Sequence, residues 1–252
     1  MLDVQSKPVP TAEQIFARPA EWALFIDIDG TLLDMAPMPD AVIVPSGIVE
    51  ILAGLAKKFE GAVALSTGRQ VRDADRLFAP LKLTTCGVHG TEARTVPGGE
   101  TMMLVPPVPA EVVEAVTGVM RIAPGILVEQ KGAGIAVHYR NAPDVRVRLE
   151  QELVGILGNY EDYVLRPGRR VLEIIPKGYS KGTALAWLMR LPPFQGRRPV
   201  MIGDDVGDQP ALLAAERHGG FGLKVAGEHF SPAESDFQNV SDVRSWLAAL
   251  AG

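Results

Sequence analysis

Cysteine is nearly absent: Cys86 stands alone in a chain of 252 residues. No internal disulfide can form, so a reducing compartment is the expected setting. No apolar run is long enough to span a bilayer. No stretch concentrates Lys and Arg, and the net charge is −5 with a pI near 5.5, so the footprint of a nucleic-acid binder is missing. Met1–Pro10 lack the basic start and apolar centre of a signal peptide. The glycine loop of the P-loop nucleotide enzymes is missing as well. The expectation is a soluble, cytoplasmic protein with neither nucleic acid nor membrane as a partner.

What is present is the composition of a globular protein. Hydrophobic residues make up 47% and charged residues 22%, enough for a sizeable core. The length permits one large α/β domain or a core with a smaller second unit. Cys86 itself sits in an apolar strand, where it is expected to fill core rather than react.

The stretch from Trp22 to Thr31 organises the rest. Trp22-Ala23-Leu24-Phe25-Ile26 runs straight into Asp27, and Asp29 follows two positions later. A short apolar run that ends at a glycine reads as a strand buried on both faces of a parallel sheet. Side chains alternate along a strand, so Asp27 and Asp29 project to one side and Ile28 to the other. Gly30 lets the backbone turn away unobstructed. A calcium loop fits poorly, because its glycine belongs at the sixth position. Two carboxylates at the carboxyl end of a buried strand stand where open α/β sheets hold ligands.

Along the chain, a proline-bearing loop (Pro37, Pro39, Pro45) leads to a helix expected to be capped by Ser46, with Ile48, Ile51, Leu52, Leu55, Ala56 and Phe59 as its buried stripe. Residues 62–67 read as a second strand, Gly68-Arg69 as the turn into another helix, and 83–88 as a third strand. Strands alternating with helices imply a parallel sheet. The rhythm then changes. A short strand over 102–105, a helix over 110–122, a hairpin over 126–139, a helix over 143–157 and a strand pair over 163–175 describe a small α+β unit inserted in the larger domain. Alternation resumes with a helix from Lys181 capped by Ser180, a strand over 199–203, a helix with Pro210 in its first turn, a strand over 221–225 and an amphipathic closing helix over 240–250. The expected division is a core of 1–105 and 177–252 with an inserted domain of 106–176. The fold class is α/β, with a Rossmann-like parallel-sheet core and a smaller α+β cap.

Polar chemistry ends three core strands: Asp27 and Asp29, then Thr67, then Asp204, Asp205 and Asp208. Lys181 opens a helix between them. Taken singly, Thr67 is a strand terminator, Asp208 a helix cap and Lys181 a solvated lysine. A parallel sheet brings all of them to one edge, where several carboxylates repel unless a cation neutralises them. A hard divalent ion with oxygen ligands, Mg2+ above all, suits such a site. A phosphate held by metal, hydroxyl and lysine is the natural ligand.

This combination resembles the haloacid dehalogenase-like phosphatases, whose four signatures stand here as Asp27-x-Asp29-Gly30-Thr31, Thr67, Lys181, and Gly203-Asp204-Asp205 with Asp208. The likeness extends to the trehalose-6-phosphate phosphatase family through Gly87-Val88-His89-Gly90-Thr91-Glu92, Glu129-x-Lys131, His138-Tyr139-Arg140 and Glu173-Ile174-Ile175-Pro176 with Ser180-Lys181-Gly182. It covers the chain from about Trp22 to Leu250. The resemblance implies that Asp27 is the nucleophile and Asp29 the general acid and base. It implies that Thr67 and Lys181 bind the phosphoryl group, and that Gly68, Arg69, His89, Glu129, Lys131 and Glu173 contact substrate. Magnesium would be held by Asp27, by the main-chain carbonyl of Asp29, by Asp204, and through Asp208 or Asp205. Where the family reads Gly-Asp-Asp-x-Thr-Asp-Glu, this chain has Gly207 and Gln209, and the lost carboxylate bears on metal binding. A related phosphatase for sucrose-6-phosphate or glucosylglycerol phosphate, a phosphomutase and a non-hydrolytic sugar-phosphate sensor are the competing readings. The resemblance implies a small sugar phosphate as the only partner, for a monomer or weak homo-oligomer.

Overall fold

The structure, a computed structural model, describes residues 11–36, 41–168 and 170–252. Met1–Pro10 and the loop prolines Pro37 and Pro39 lie outside them. Thr11 opens a short helix, Ala12–Phe16 (α1), by a reciprocal capping box with Gln14. Trp22–Ile26 (β1) follows, buried along its whole length. Ile48–Lys58 (α2), Val63–Ser66 (β2), Val71–Leu77 (α3) and Thr84–Gly87 (β3) complete the first alternation. The cap of α2 corrects the expectation for Ser46. Gly47 takes that position at φ +87°, a left-handed conformation that a serine resists, and no side chain caps the helix.

Glu92–Arg94 (β4) and Met102–Met103 (β5) come next. Then follow Ala110–Thr117 (α4), Leu127–Lys131 (β6), Gly134–His138 (β7), Arg146–Leu157 (α5), Tyr163–Gly168 (β8) and Val171–Pro176 (β9). Lys181–Leu188 (α6), Arg198–Gly203 (β10), Gln209–Arg217 (α7), Phe221–Lys224 (β11) and Val240–Ala251 (α8) close the chain.

Among the described residues, the larger sheet has the order β11-β10-β1-β2-β3-β4-β5. β1 is central, with Phe25 opposite both Met201 and Ala64. The pairings from β11 to β3 are parallel, but β4 and β5 add an antiparallel edge. The sequence pattern placed a short strand over 102–105, where β5 lies, but missed β4 and the antiparallel direction of the edge. A single turn, Val88–Gly90, joins β3 to β4, and so short a link returns the chain only antiparallel, since a parallel crossover takes a dozen residues or more. The core on this sheet takes in Phe25, Ile26, Leu52, Leu65, Cys86, Leu185, Met201 and Leu247. Cys86 is buried there as expected, and burial pushes its thiol up to about 12.

The second sheet, β6-β7-β9-β8, is antiparallel throughout. Ile135 and Val137 of β7 and Leu172 and Ile174 of β9 point to one face and meet Val112 and Val116 of α4 with Leu149 and Leu153 of α5 in a separate hydrophobic cluster. Strand alternation therefore sends Glu129, Lys131, His138, Arg166 and Glu173 to the other face. Among the described residues, no helix is long and apolar enough to cross a membrane.

Candidate active site

β1 pairs with its neighbours as far as Asp27, whose N–H donates to Ile202 O at 3.0 Å. Gly30 then turns at φ +88° so close to β10 that a Cβ there would collide with the Asp204 carboxylate. Thr31 Oγ1 donates to Asp204 Oδ1 at 2.9 Å and orients it. Asp27, Asp204 and Asp208 are all buried, and each offers an oxygen within 4.8 Å of the others.

Lys181 enters this group from the first turn of α6. The helix start is pinned by a capping box between Ser180 and Thr183. Lys181 Nζ donates to Asp27 Oδ1 at 2.6 Å and to Asp208 Oδ1 at 2.7 Å. Asp208 Oδ2 accepts from the N–H groups of Asp204 at 3.2 Å and Asp205 at 3.1 Å. Asp208 therefore ties the loop after β10 to the lysine rather than capping α7 with its side chain.

Three buried carboxylates face one ammonium, and the charges do not balance. Burial first, then the Asp208 charge, holds the Asp27 carboxyl well above the usual range. The same causes lift Asp204 to about 7. Burial opposes the charge on Lys181, but the Asp208 and Asp27 carboxylates outweigh it and raise its pKa. An all-oxygen donor set with surplus negative charge forms a possible site for a hard divalent cation.

Of the four residues expected around a metal, Asp29 by its main-chain carbonyl and the others by their side chains, the structure brings the three other carboxylates together. The fourth, Asp29, is clamped by Arg69, whose Nε and Nη2 donate to its two oxygens at 2.6 and 2.7 Å. Asp205 stands outside the trio and accepts from Val206 N at 2.7 Å. Gln209 is exposed at the start of α7, away from the trio.

Thr67 is fully buried beside these groups, its N–H donating to Cys86 O at 2.9 Å and its Oγ1 accepting from Arg69 N at 3.0 Å. Val88 and His89 both take left-handed backbones, at φ 44° and 53°. A β-branched valine there is strained, on the order of 1–3 kcal/mol. That turn aims His89 at the second sheet, with Nε2 at 2.5 Å from Glu173 Oε2. Burial alone would raise Glu173, but His89, then Lys131 and Lys181, outweigh it and bring it down to about 2. Lys131 Nζ donates to Gly68 O at 3.3 Å, and Arg140 reaches Ala36 O.

One cleft between the sheets is lined by Asp27, Asp29, Thr67, Gly68, Arg69, His89, Lys131, Glu173, Lys181 and Asp204. Two expected residues stand behind it. Asp208 is wholly buried beneath, and Glu129 braces the wall, holding His138 Nε2 at 3.0 Å and Lys131 Nζ at 3.6 Å. His138, Arg140 and Asn141 line the cleft without having been singled out as contacts. The period-two spacing of His138 and Arg140 with the strand opposite was their available signal. Thr31 was marked only as the last residue of the first signature, with no role, because it acts through a residue far along the chain, Asp204.

A family model described as trehalose-phosphatase matches residues 25–242. A probable trehalose-phosphate phosphatase of Sinorhizobium fredii is 40% identical over 91% of this chain and 88% of its own length. The trehalose-6-phosphate phosphatase of Escherichia coli is 38% identical over 92% and 87%. The C-terminal domain of a C. albicans trehalose-6-phosphate phosphatase superposes with a TM-score of 0.82, covering 98% of both chains at 18% identity, a likeness of fold.

Proposed function

The chain belongs to the trehalose-phosphatase family, a phosphoric monoester hydrolase family of the haloacid dehalogenase type, and from that membership we propose that it hydrolyses trehalose 6-phosphate through an aspartyl-phosphate on Asp27. The observation that carries this reading is the buried group of Asp27, Asp204, Asp208 and Lys181 at the floor of a cleft roofed by polar residues of the second sheet. Residues 106–176 are then a cap that closes over the sugar and excludes water.

The Asp27 carboxylate attacks phosphorus, which divides one difficult hydrolysis into two easier steps. Thr67 and Lys181 hold phosphoryl oxygens and offset their charge as the bond breaks. Asp29 gives a proton to the departing sugar oxygen and later takes one from the attacking water. Because Arg69 engages both Asp29 oxygens, substrate must draw it off at least one of them before Asp29 carries that proton. A divalent cation, magnesium by the all-oxygen donor set, would be held by Asp27, Asp204 and the Asp29 main chain with Asp208 nearby, and would neutralise phosphoryl charge. Glu173 and Lys131 offer hydrogen bonds to sugar hydroxyls from the cap, with Glu129 keeping Lys131 in place.

The test is phosphate release over a panel of sugar phosphates (trehalose 6-phosphate, sucrose-6-phosphate and glucosylglycerol phosphate among them), with magnesium and with chelator. Trehalose 6-phosphate should be preferred and chelator should stop release. Equal rates across the panel would remove the trehalose assignment. Release that survives chelation would remove the metal.

Two variants probe the roles. Asp29→Asn should slow sugar-phosphate turnover about a hundredfold but aryl-phosphate turnover much less, because a good leaving group needs little protonation. Equal fractional losses on both substrates contradict the acid–base role. Lys131→Ala should lower kcat/KM on trehalose 6-phosphate by about tenfold or more while sparing a small aryl phosphate, since a buried site built for hydroxyls discriminates by what it leaves unpaired. An unchanged ratio of the two efficiencies would make Lys131 a structural strut to Gly68.

A further inference from the structure

His89 is a buried titratable group to which the mechanism above gives no task. Val88, His89 and Gly90 form a turn of three consecutive left-handed residues, with Gly90 at φ +90°. Val88 N donates to Arg69 O at 3.0 Å and His89 N to Thr67 O at 3.1 Å. Gly90 lies so close to the start of α6 that a Cβ there would stand 2.8 Å from Ser180 O. Strained backbone persists where its surroundings over-determine it, and it gathers at working sites. This turn is held between the loop that carries Thr67 and the helix start that carries Lys181.

The turn aims the imidazole out of the core and into the wall of the cap, with 6% of the residue exposed. Two glycines make room for the ring: a Cβ on Gly68 would stand 2.8 Å from Nε2, and one on Gly207 would stand 3.6 Å from Cε1. Nε2 is 2.5 Å from Glu173 Oε2, an ion-pair contact that joins the core to β9. The other carboxylate oxygen, Oε1, lies over Gly68, 3.5 Å from where that Cβ would be, and Glu173 lines the cleft. His89 thus engages one oxygen of Glu173 and leaves the other above the Thr67-Gly68 loop. Burial alone would raise the Glu173 carboxyl, and His89 is the first of the groups that reverse this. A buried carboxyl without such a partner takes up a proton and is free to turn away. Ionised and held, it is a fixed acceptor for a hydroxyl.

We propose that His89 is a positioning residue: it holds Glu173 of the cap as an acceptor for a sugar hydroxyl, and through Glu173 it sets the preference for a sugar phosphate over a simple one. The inference rests on the phosphatase reading above and gives His89 no contact with the sugar. Because the same turn donates to Thr67 O, the sugar acceptor and the phosphate-binding hydroxyl share one support. Nδ1 has no hydrogen-bond partner among the described residues, so contact with the phosphoryl group is the rival role.

His89→Asn and His89→Gln separate the two. An asparagine amide stands in for Nδ1 and suits a left-handed backbone; a glutamine amide stands in for Nε2 and suits that backbone less. The quantity to read is the ratio of kcat/KM on trehalose 6-phosphate to kcat/KM on a small aryl phosphate. It should fall about tenfold or more in His89→Asn, and His89→Gln should recover part of it. A residue that served only the turn, or acted through Nδ1, would show the opposite order. Glu173→Ala should lower the same ratio, and adding His89→Asn to it should lower it less than about twofold further, because the pair acts as one unit. A ratio equal to the parent's, efficiencies on the two substrates that fall together, or losses that multiply in the double variant overturn the proposal. A parent that prefers no sugar phosphate to the aryl one removes the substrate reading and this inference with it. A parent that has the preference but shows multiplying losses removes the inference alone.

Discussion

Asp27→Asn is expected to abolish phosphate release from sugar and aryl phosphates alike, by several powers of ten, in a protein that remains folded. An amide has no carboxylate electron pair with which to form the acyl phosphate, and the loss of a group acting in the chemical step is commonly that large. The fold should survive for an electrostatic reason. Asp27 is buried beside Asp208 and Asp204, and its folded pKa lies above the unfolded value. A group raised in this way contributes stability that is full below its unfolded pKa and is lost as pH rises through the folded value. Once ionised, Asp27 is a liability to the fold, and an asparagine keeps its shape and an oxygen for Lys181. The melting temperature at pH 7.5 should therefore equal or exceed that of the parent. Turnover near the parent's, with contaminating wild-type enzyme excluded, would refute the covalent route.

Lys181→Met should be damaging twice over. Removing a cation that stabilises the phosphoryl group costs about a thousandfold in kcat. It also leaves Asp27 and Asp208 buried without the ammonium that both accept from, and breaking a buried pair in this way costs roughly 3–5 kcal/mol. That cost must depend on pH. Asp27 and its neighbour Asp204 have folded pKa values displaced upward by burial and by the Asp208 charge, so they fold easily when protonated and poorly when ionised. The variant's deficit in melting temperature should be small near pH 5 and grow towards pH 8, the sign that raised folded pKa values require. Thermal melts at the two pH values, in chelator, check this. A deficit independent of pH would mean that Lys181 acts by packing rather than by charge. Activity close to the parent's would remove it from the phosphate site.

Much of this site was legible in the residues because its signals are local. An apolar run ending in Asp27 and Asp29 states a buried strand and the face its acids share. Ser180 before Lys181 states where a helix begins, and the structure has that cap. The helix stripe of Ile48, Leu52, Leu55 and Phe59 is buried where a 3.6-residue period places it. The change of rhythm after Gly99 announced a second sheet, and β6 to β9 form one.

Other features depended on segments far apart in sequence. Spacing in the loop after β10 could not choose between Asp205 and Asp208 as the acid beside Asp27 and Asp204; the hydrogen bonds of Asp208 with Lys181 and with two backbone N–H groups hold it there. Asp29 shares a face with Asp27 by strand parity, yet Arg69, forty residues on, draws its carboxylate away. Glu129 has the parity of a cleft residue but stands behind Lys131 and His138. Ser46 had the chemistry of a cap, but the left-handed turn at that point required Gly47. The sequence by itself determined which residues lie on which face and at which end of a strand, because backbone periodicity is local. Only the tertiary structure decided which of them touch, because a hydrogen bond is made or lost over tenths of an ångström and that distance is set by the packing of two sheets that the chain joins only at a distance.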